Sequence, residues 1–417
     1  MLAYALEWAN LLVRWLHVTA AIAWIGTSFY YIALDYHLLE PKNPAAEEEG
    51  VAGEAWEIHG GGFYRVEKYR VAPHTLPNPL HWFMWEAYTT WLSGFGLLIV
   101  LYYANASTYL VDRSVADIGP AVAVAISVGL LIIGWLVYDG LSRALEGHDR
   151  LLALALAVVI SVTAFGVSHL LSPRAAYLQV GAMIGTWMAA NVGAVIIPGQ
   201  RELVAAKLAG REPDPIYGIR GKQLPVLFAM LSNHFPLTYG HPQGWLVLLA
   251  LMGLGAWVRH FFNLRHQGRV VWAIPVSAAV GVVVLAAAIA PRDVSTSVAN
   301  VSFAQAQAVI ARRCLPCHSA TPTQSGFPEA PNGVMFDSSD QIVGRAQQIY
   351  QQAVVTKNMP FGNLTNITQE ERDILAAWVQ KGAPVDGVPS PSGRHERLSR
   401  THPSPQPSPR GRGRFSI

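Results

Sequence analysis

Charge is scarce in this chain. Of 417 residues only 14% are Asp, Glu, Lys or Arg, 52% are hydrophobic, and the mean hydropathy is +0.27. A soluble chain of this size carries about 25% charged residues. The deficit is concentrated before residue 291, where long apolar runs alternate with short polar loops. That pattern excludes a soluble globular body there and reads as an integral membrane domain. Positive charge is scarce too. The formal net charge is +3, yet the tail from Pro389 onward holds six arginines against one glutamate, leaving the rest slightly acidic. The basic balance belongs to the tail, so it implies no nucleic-acid partner. No internal repeat of the kind that builds a solenoid is present.

Cysteine is nearly absent, and its two copies stand together in Cys314-Leu315-Pro316-Cys317-His318. This is the spacing of covalent haem attachment: both thiols add across the haem vinyl groups and the adjacent His318 faces the iron as proximal ligand. A disulfide or a thioredoxin-like pair leaves the following His without a role, and no βαβ pattern surrounds the motif. One covalent haem c is expected, and with it an electron carrier. A Met sulfur opposite His raises the haem potential. Two methionines follow the motif. Met359 lies in Lys357-Asn358-Met359-Pro360-Phe361-Gly362-Asn363, where Pro and Gly make a stiff irregular loop. Met335, between Val334 and Phe336, reads as a gap-filling core residue. Met359 is the expected second ligand. With neither bound, the iron would keep an open position for small ligands.

About 20 apolar residues span a bilayer. Runs near that length are Trp8–Leu34, Trp82–Tyr103, Ile118–Tyr138, Leu151–Leu171, Ala175–Ile197, Gly244–Phe262 and Val270–Ala290. An eighth, Gln223–Tyr239, carries Pro225 and Pro236 at its ends and reads as a short span or a re-entrant segment. The first run lacks a small-residue cleavage site and reads as an uncleaved helix. With eight spans, the loops after the first, third, fifth and seventh collect nearly all the Lys and Arg. The alternate loops contain only Arg113 and Arg174. Cytoplasmic loops are the basic ones, so both termini are expected outside. Covalent haem attachment in bacteria takes place on that same periplasmic side of the inner membrane.

After Pro291-Arg292-Asp293 the character changes. The organisation expected is a transmembrane domain over 1–295, a small helical cytochrome c domain over 301–388, and a Pro/Ser/Arg-rich disordered tail over 389–417. Phe303–Arg313 reads as the helix leading into the haem motif. Thr368-Gln369-Glu370-Glu371 reads as a capping box opening a helix that stops at Lys381-Gly382. The fold class is therefore all-α: a polytopic bundle of about eight spans, then a unit like a class I cytochrome c.

Ionisable side chains at bilayer depth are costly and tend to mark function. Arg14 and His17 fall one turn apart on the first helix, Glu86 and Tyr88 enter the second after His81, Asn191 sits in the fifth, and His234 lies in the Pro-bounded run. Asp35, Asp139 and His169 fall near helix ends, where interfacial solvation accounts for them. Hydrogen bonds between helices account for the deep group in the plainest way. Two sharper readings compete. His17, His81, His169 and His234 could pair to hold a haem b, though none repeats twice on one helix. Alternatively Arg14, His17, Asn191 and His234 could line a cavity for a planar oxygen- and nitrogen-rich anion. The loop Trp56–Arg65, with Gly60-Gly61-Gly62, reads as a flexible aromatic-rich connection allowing positive-φ turns.

Three stretches carry a family resemblance: WEIHGGGFYRVEKY from Trp56 to Tyr69, LHWFMWEAYTTWLSGF from Leu80 to Phe95, and CLPCH with NMPFGNLT. In these the chain resembles the membrane-bound urate hydroxylases of the PuuD type, in which a multi-span domain precedes a C-terminal c-type cytochrome. The resemblance covers residues 1 to about 388. It implies oxidation of urate to 5-hydroxyisourate with water as the oxygen source, electrons leaving through the haem to a soluble cytochrome c or a terminal oxidase. It transfers no catalytic residue. By depth and chemistry, His17, His59 or His234 could act as base and Arg14 and Asn191 as donors to the anion. The alternatives are a quinol-linked electron-transfer subunit with haem b in the bundle, or a tethered cytochrome, for which eight spans are more than anchoring needs.

Overall fold

In the computed structural model the described residues are 2–70, 72–211, 236–266, 268–290 and 301–385. The chain is mostly helical. Helix α1, Leu2–His37, ends where the sequence turns into a polar linker. The stretch expected to be a flexible loop is instead an antiparallel hairpin, β1 (Val51–His59) paired with β2 (Gly62–Tyr69). Gly60 and Gly61 form its two-residue turn with φ of 59° and 82°. Positive φ at both central positions matches the right-handed twist of the flanking strands, and glycine adopts it without steric cost. The hairpin is strapped to the end of α1. Tyr30 donates to Glu57 at 2.6 Å, and Lys68 pairs with Asp35 at 2.6 Å. Backbone bonds join Leu39 to Glu54.

Next come α2 (Trp85–Leu97), which shifts into a π-type turn over Leu98–Tyr103, α3 (Pro120–Ala144) and α4 (Asp149–Ser168). Helix α5 runs Pro173–Asn191 and continues through a π-type turn, Val192–Ile196, into Ile197–Leu208. Pro120 and Pro173 open their helices at the position where a missing N–H costs nothing. Helices α6 (Gly244–His266) and α7 (Ala273–Ala288) complete this part.

Among the described residues, five helices are long and apolar enough to cross a membrane: Trp8–His37, Pro120–Ala144, Asp149–Ser168, Pro173–Leu208 and Gly244–Arg265. Two further expected spans are not among them. Trp85–Tyr103 is continuous across its π-type turn but opens on polar residues such as Glu86, Thr89 and Thr90, and α7 has only 16 residues. Of the run 223–239, only the short helix Pro236–Tyr239 lies within the described residues.

Helix α5 is the centre of the bundle, with Tyr177, Val180, Met183, Ile184 and Trp187 all buried. Buried polar groups tie it to its neighbours. Gln179 donates to Ser127 at 2.5 Å, Tyr103 and Ser127 share a 2.8 Å bond, and Trp91 donates to Thr186 at 3.0 Å. The outward faces of α3 and α4 expose Ile132, Ile133, Leu136, Leu154, Val158 and Val162. In water each large apolar side chain left exposed forfeits about 1.5–3 kcal/mol; against hydrocarbon these faces lose nothing.

The C-terminal part has its own core, built from Phe303, Ile310, Ile342, Leu375 and Trp378 among others. Helix α8, Phe303–Arg313, has the expected span, with Ser302 and Gln305 closing a capping box. Helix α9, Gln369–Gln380, opens on the Thr368/Glu371 capping box read from sequence. It is followed by Gly382 at φ 88°. The two helices are pinned together by Arg313, whose Nε lies 2.8 Å from Glu371.

Candidate functional site

The end of α8 places the cysteine motif. Cys314 N donates to Ile310 O at 2.8 Å, and the amides of Cys317 and His318 both return to Cys314 O, at 3.1 and 2.9 Å. This tight turn sets both half-buried thiols and the imidazole beside the helix end. His318 Nδ1 lies 2.9 Å from the carbonyl oxygen of Val334. A carbonyl only accepts, so Nδ1 carries the proton and Nε2 presents a bare lone pair, the state in which histidine ligates iron. Burial pushes the Cys314 thiol up to about 12 and raises Cys317 in the same direction.

Met359 is held from both sides through its backbone. Its N–H donates to Gln352 O at 2.9 Å, and its carbonyl accepts from Arg372 at 2.9 Å. Arg372 is itself buried and also donates to the Ala353 carbonyl. Met335 is only half-buried beside the buried Phe336. Two thiols, a histidine with a free Nε2, a fixed methionine and a flanking apolar core fit a covalently attached haem c.

The Met359 loop is seated on the bundle. Phe361 packs edge-on against Tyr109 with centroids 4.9 Å apart, and the Arg174 guanidinium stands 5.9 Å above the Phe361 ring. Tyr239 donates to Asn358 at 3.1 Å. Gly362, at φ 54°, lies so close to the turn 105–111 that a Cβ would stand 2.9 Å from Val111 O and 3.0 Å from Thr108 O. Beside this junction is a cavity of about 650 Å3.

The polar candidates inside the bundle do not converge. Arg14 is exposed and bonds Asn10 at 3.0 Å. His17, one turn on, bonds Thr90 O at 3.0 Å and Ser93 at 3.1 Å on α2. His59 is exposed at the hairpin turn and Asn191 is buried near the end of α5's first segment. Among the described residues, none of these four hydrogen-bonds with another. His81 packs edge-on to Phe83, and His169 bonds Phe165 O at 2.8 Å. His234 lies outside the described residues. Sequence reasoning missed Tyr109, Tyr239 and Asn358 at the junction; Arg174 was visible only as a stray cation in a loop expected to be poor in charge.

The chain joins several helices long and apolar enough to cross a membrane to a small helical unit that carries the Cys314–His318 motif. The chain belongs to the urate oxidase N-terminal family, whose profile matches residues 3–290. No curated protein and no solved structure matches it. The match points to urate as the small-molecule substrate and to an oxidoreductase.

Proposed function

We propose that this protein oxidises urate to 5-hydroxyisourate at the membrane and delivers the electrons to its own C-terminal haem. Urate and one water give 5-hydroxyisourate, two protons and two electrons, so water is the oxygen source. Cys314 and Cys317 would hold the haem covalently, and His318 and Met359 would supply the nitrogen and sulfur that bind its iron. Bound there, a haem c supplies a one-electron acceptor that must be emptied twice per turnover. The residues of this chain prepare that role. Val334 O fixes the His318 tautomer, and Arg372 with Gln352 fixes the backbone of Met359. The loop basicity supports a periplasmic position for this unit at a bacterial inner membrane, where a soluble cytochrome c or a terminal oxidase takes the electrons on. The bundle is read as about eight spans.

The observation that carries this reading is the seat of the Met359 loop directly on the family-matched bundle. The experiment is urate-dependent reduction of the c-type absorption band in isolated membranes. Reduction by urate, lost in His318→Ala and weakened in Met359→Ala, is expected. No reduction by urate of a protein that retains haem after acid–acetone extraction would overturn it. A b-type signal in the pyridine haemochrome spectrum would point to the quinol-linked alternative.

A further inference from the structure

We infer that the cavity between the bundle and the Met359 loop is the binding site for the planar purine anion, and that Arg174 is its principal anion donor. This rests on the urate reading and names its site, which is not the polar residues inside the bundle.

Four observations carry it. The first is size: about 650 Å3 is within the roughly 300–1,000 Å3 of small-molecule sites and admits a bicyclic purine with water around it. The second is charge. Among the described residues, Arg174, Lys357 and Arg372 line it against a single carboxylate, Asp112. That carboxylate already accepts from Ser114 N at 2.9 Å and Ser114 Oγ at 2.5 Å. The surplus is positive, as a urate anion requires.

The third is an unmet donor. Among the described residues Arg174 Nε is buried and has no hydrogen-bond partner, although the guanidinium also bonds Tyr102; an unmet Nε costs about 1–3 kcal/mol unless something accepts from it. An oxo group of a planar anion is such an acceptor, and guanidinium suits it by shape. Phe361 and Tyr239 also belong to the lining and give it an aromatic side. The fourth is position. Asn358 and Phe361 flank Met359-Pro360 and both line the cavity. A purine bound there lies beside the loop that carries the expected haem ligand. None of Cys314, Cys317, His318 and Met359 lines it, so it is separate from the haem cleft. Arg14, His17, His59 and Asn191 do not line it either.

The test is equilibrium dialysis of radiolabelled urate against the purified full-length protein in detergent. The haem is pre-reduced with dithionite so that no urate is consumed. Arg174→Gln is expected to weaken binding by about ten- to a hundredfold, the loss of one charge-assisted hydrogen bond. Arg174→Lys should recover part of it. Ser114→Trp, at an exposed rim position, is expected to block binding while the haem spectrum stays unchanged, which separates loss of the site from loss of the fold. If wild-type protein binds and oxidises urate while Arg174→Gln and Ser114→Trp bind it equally well, the inference is wrong and the urate reading stands. If wild-type protein neither binds nor oxidises urate, both fall together.

Discussion

Replacing Gly362 by alanine isolates the contact that seats the Met359 loop. The backbone there has φ 54°, and a left-handed alanine costs about 1–2 kcal/mol. A smaller unfolded-state entropy offsets about 0.4–1 kcal/mol of that. The added methyl also meets two carbonyl oxygens, Val111 O at 2.9 Å and Thr108 O at 3.0 Å. Neither yields easily. The turn that carries them is closed by Leu110 N and Val111 N on Ala106 O, and Ser172 N bonds Leu110 O at 2.8 Å. Overpacking of this kind costs about 1–3 kcal/mol. Gly333 is the control: its φ is 64° and nothing lies within 4 Å of a Cβ placed there, so alanine meets only the backbone cost. Hydrogen exchange at the Asn363, Leu364 and Ile367 amides reads the difference. Gly362→Ala should accelerate exchange there on the order of 30-fold beyond wild type, the equivalent of about 2 kcal/mol. Gly333→Ala should leave those amides within about threefold of wild type. Equal exchange at these amides in both variants would refute the docking argument.

Other expectations concern the two cores. Burial works against ionisation of Glu371, but the hydrogen bond from Arg313, the Thr368 amide and the charges of Arg313 and Arg312 outweigh it and hold its carboxyl low. A depressed carboxyl stabilises the fold above its ordinary value near 4.5 and loses that contribution as pH falls through the folded value. Glu371→Gln should therefore cost about 1–2 kcal/mol in urea unfolding at pH 7, and the gap from wild type should close as pH falls through the folded value. Trp378 is fully buried and donates to Pro384 O at 3.0 Å. Trp378→Phe should lower the unfolding free energy by about 1–3 kcal/mol through the orphaned carbonyl and the lost volume, read by haem absorbance during denaturation. In the bundle, a Cβ on Gly94 would stand 2.9 Å from His17 Cε1. Gly94→Ala should lower the thermal midpoint in detergent, and adding His17→Ala should restore it; no rescue would mean the clash lies elsewhere.

What the sequence made legible was local. Helix α8 and the Thr368/Glu371 cap rest on residue types three positions apart, so their signal needs no tertiary partner. The cysteine motif and the loop around Met359 were readable for the same reason. The hairpin was not, although a Gly-Gly turn between alternating residues is a hairpin signal. The first half of its first strand, Val51-Ala52-Gly53-Glu54-Ala55, is poor in strand-forming residues, and the hairpin's order depends on Tyr30 and Asp35 of α1 and on Leu39 just beyond it. The π-type shifts at Leu98 and Val192 leave no mark in apolar periodicity. Spacing correctly put Arg14 and His17 near one another on a helix but could not tell which neighbour each would choose. Arg174 stood out as a misplaced positive charge, yet its surroundings come from Tyr239, Asn358 and Phe361, distant in the chain. Only the folded molecule assembles them.

The seat of Phe361 and Gly362 has a kinetic corollary. If the C-terminal unit holds the proposed haem, its clamp to the bundle by an edge-on ring contact, a tyrosine bond and a close backbone approach would make it a fixed terminal rather than a swinging arm. An onward acceptor would then have to arrive by diffusion and collect at the face turned away from the bundle. Turnover would then follow the concentration and charge of that visitor, not the length of the tether.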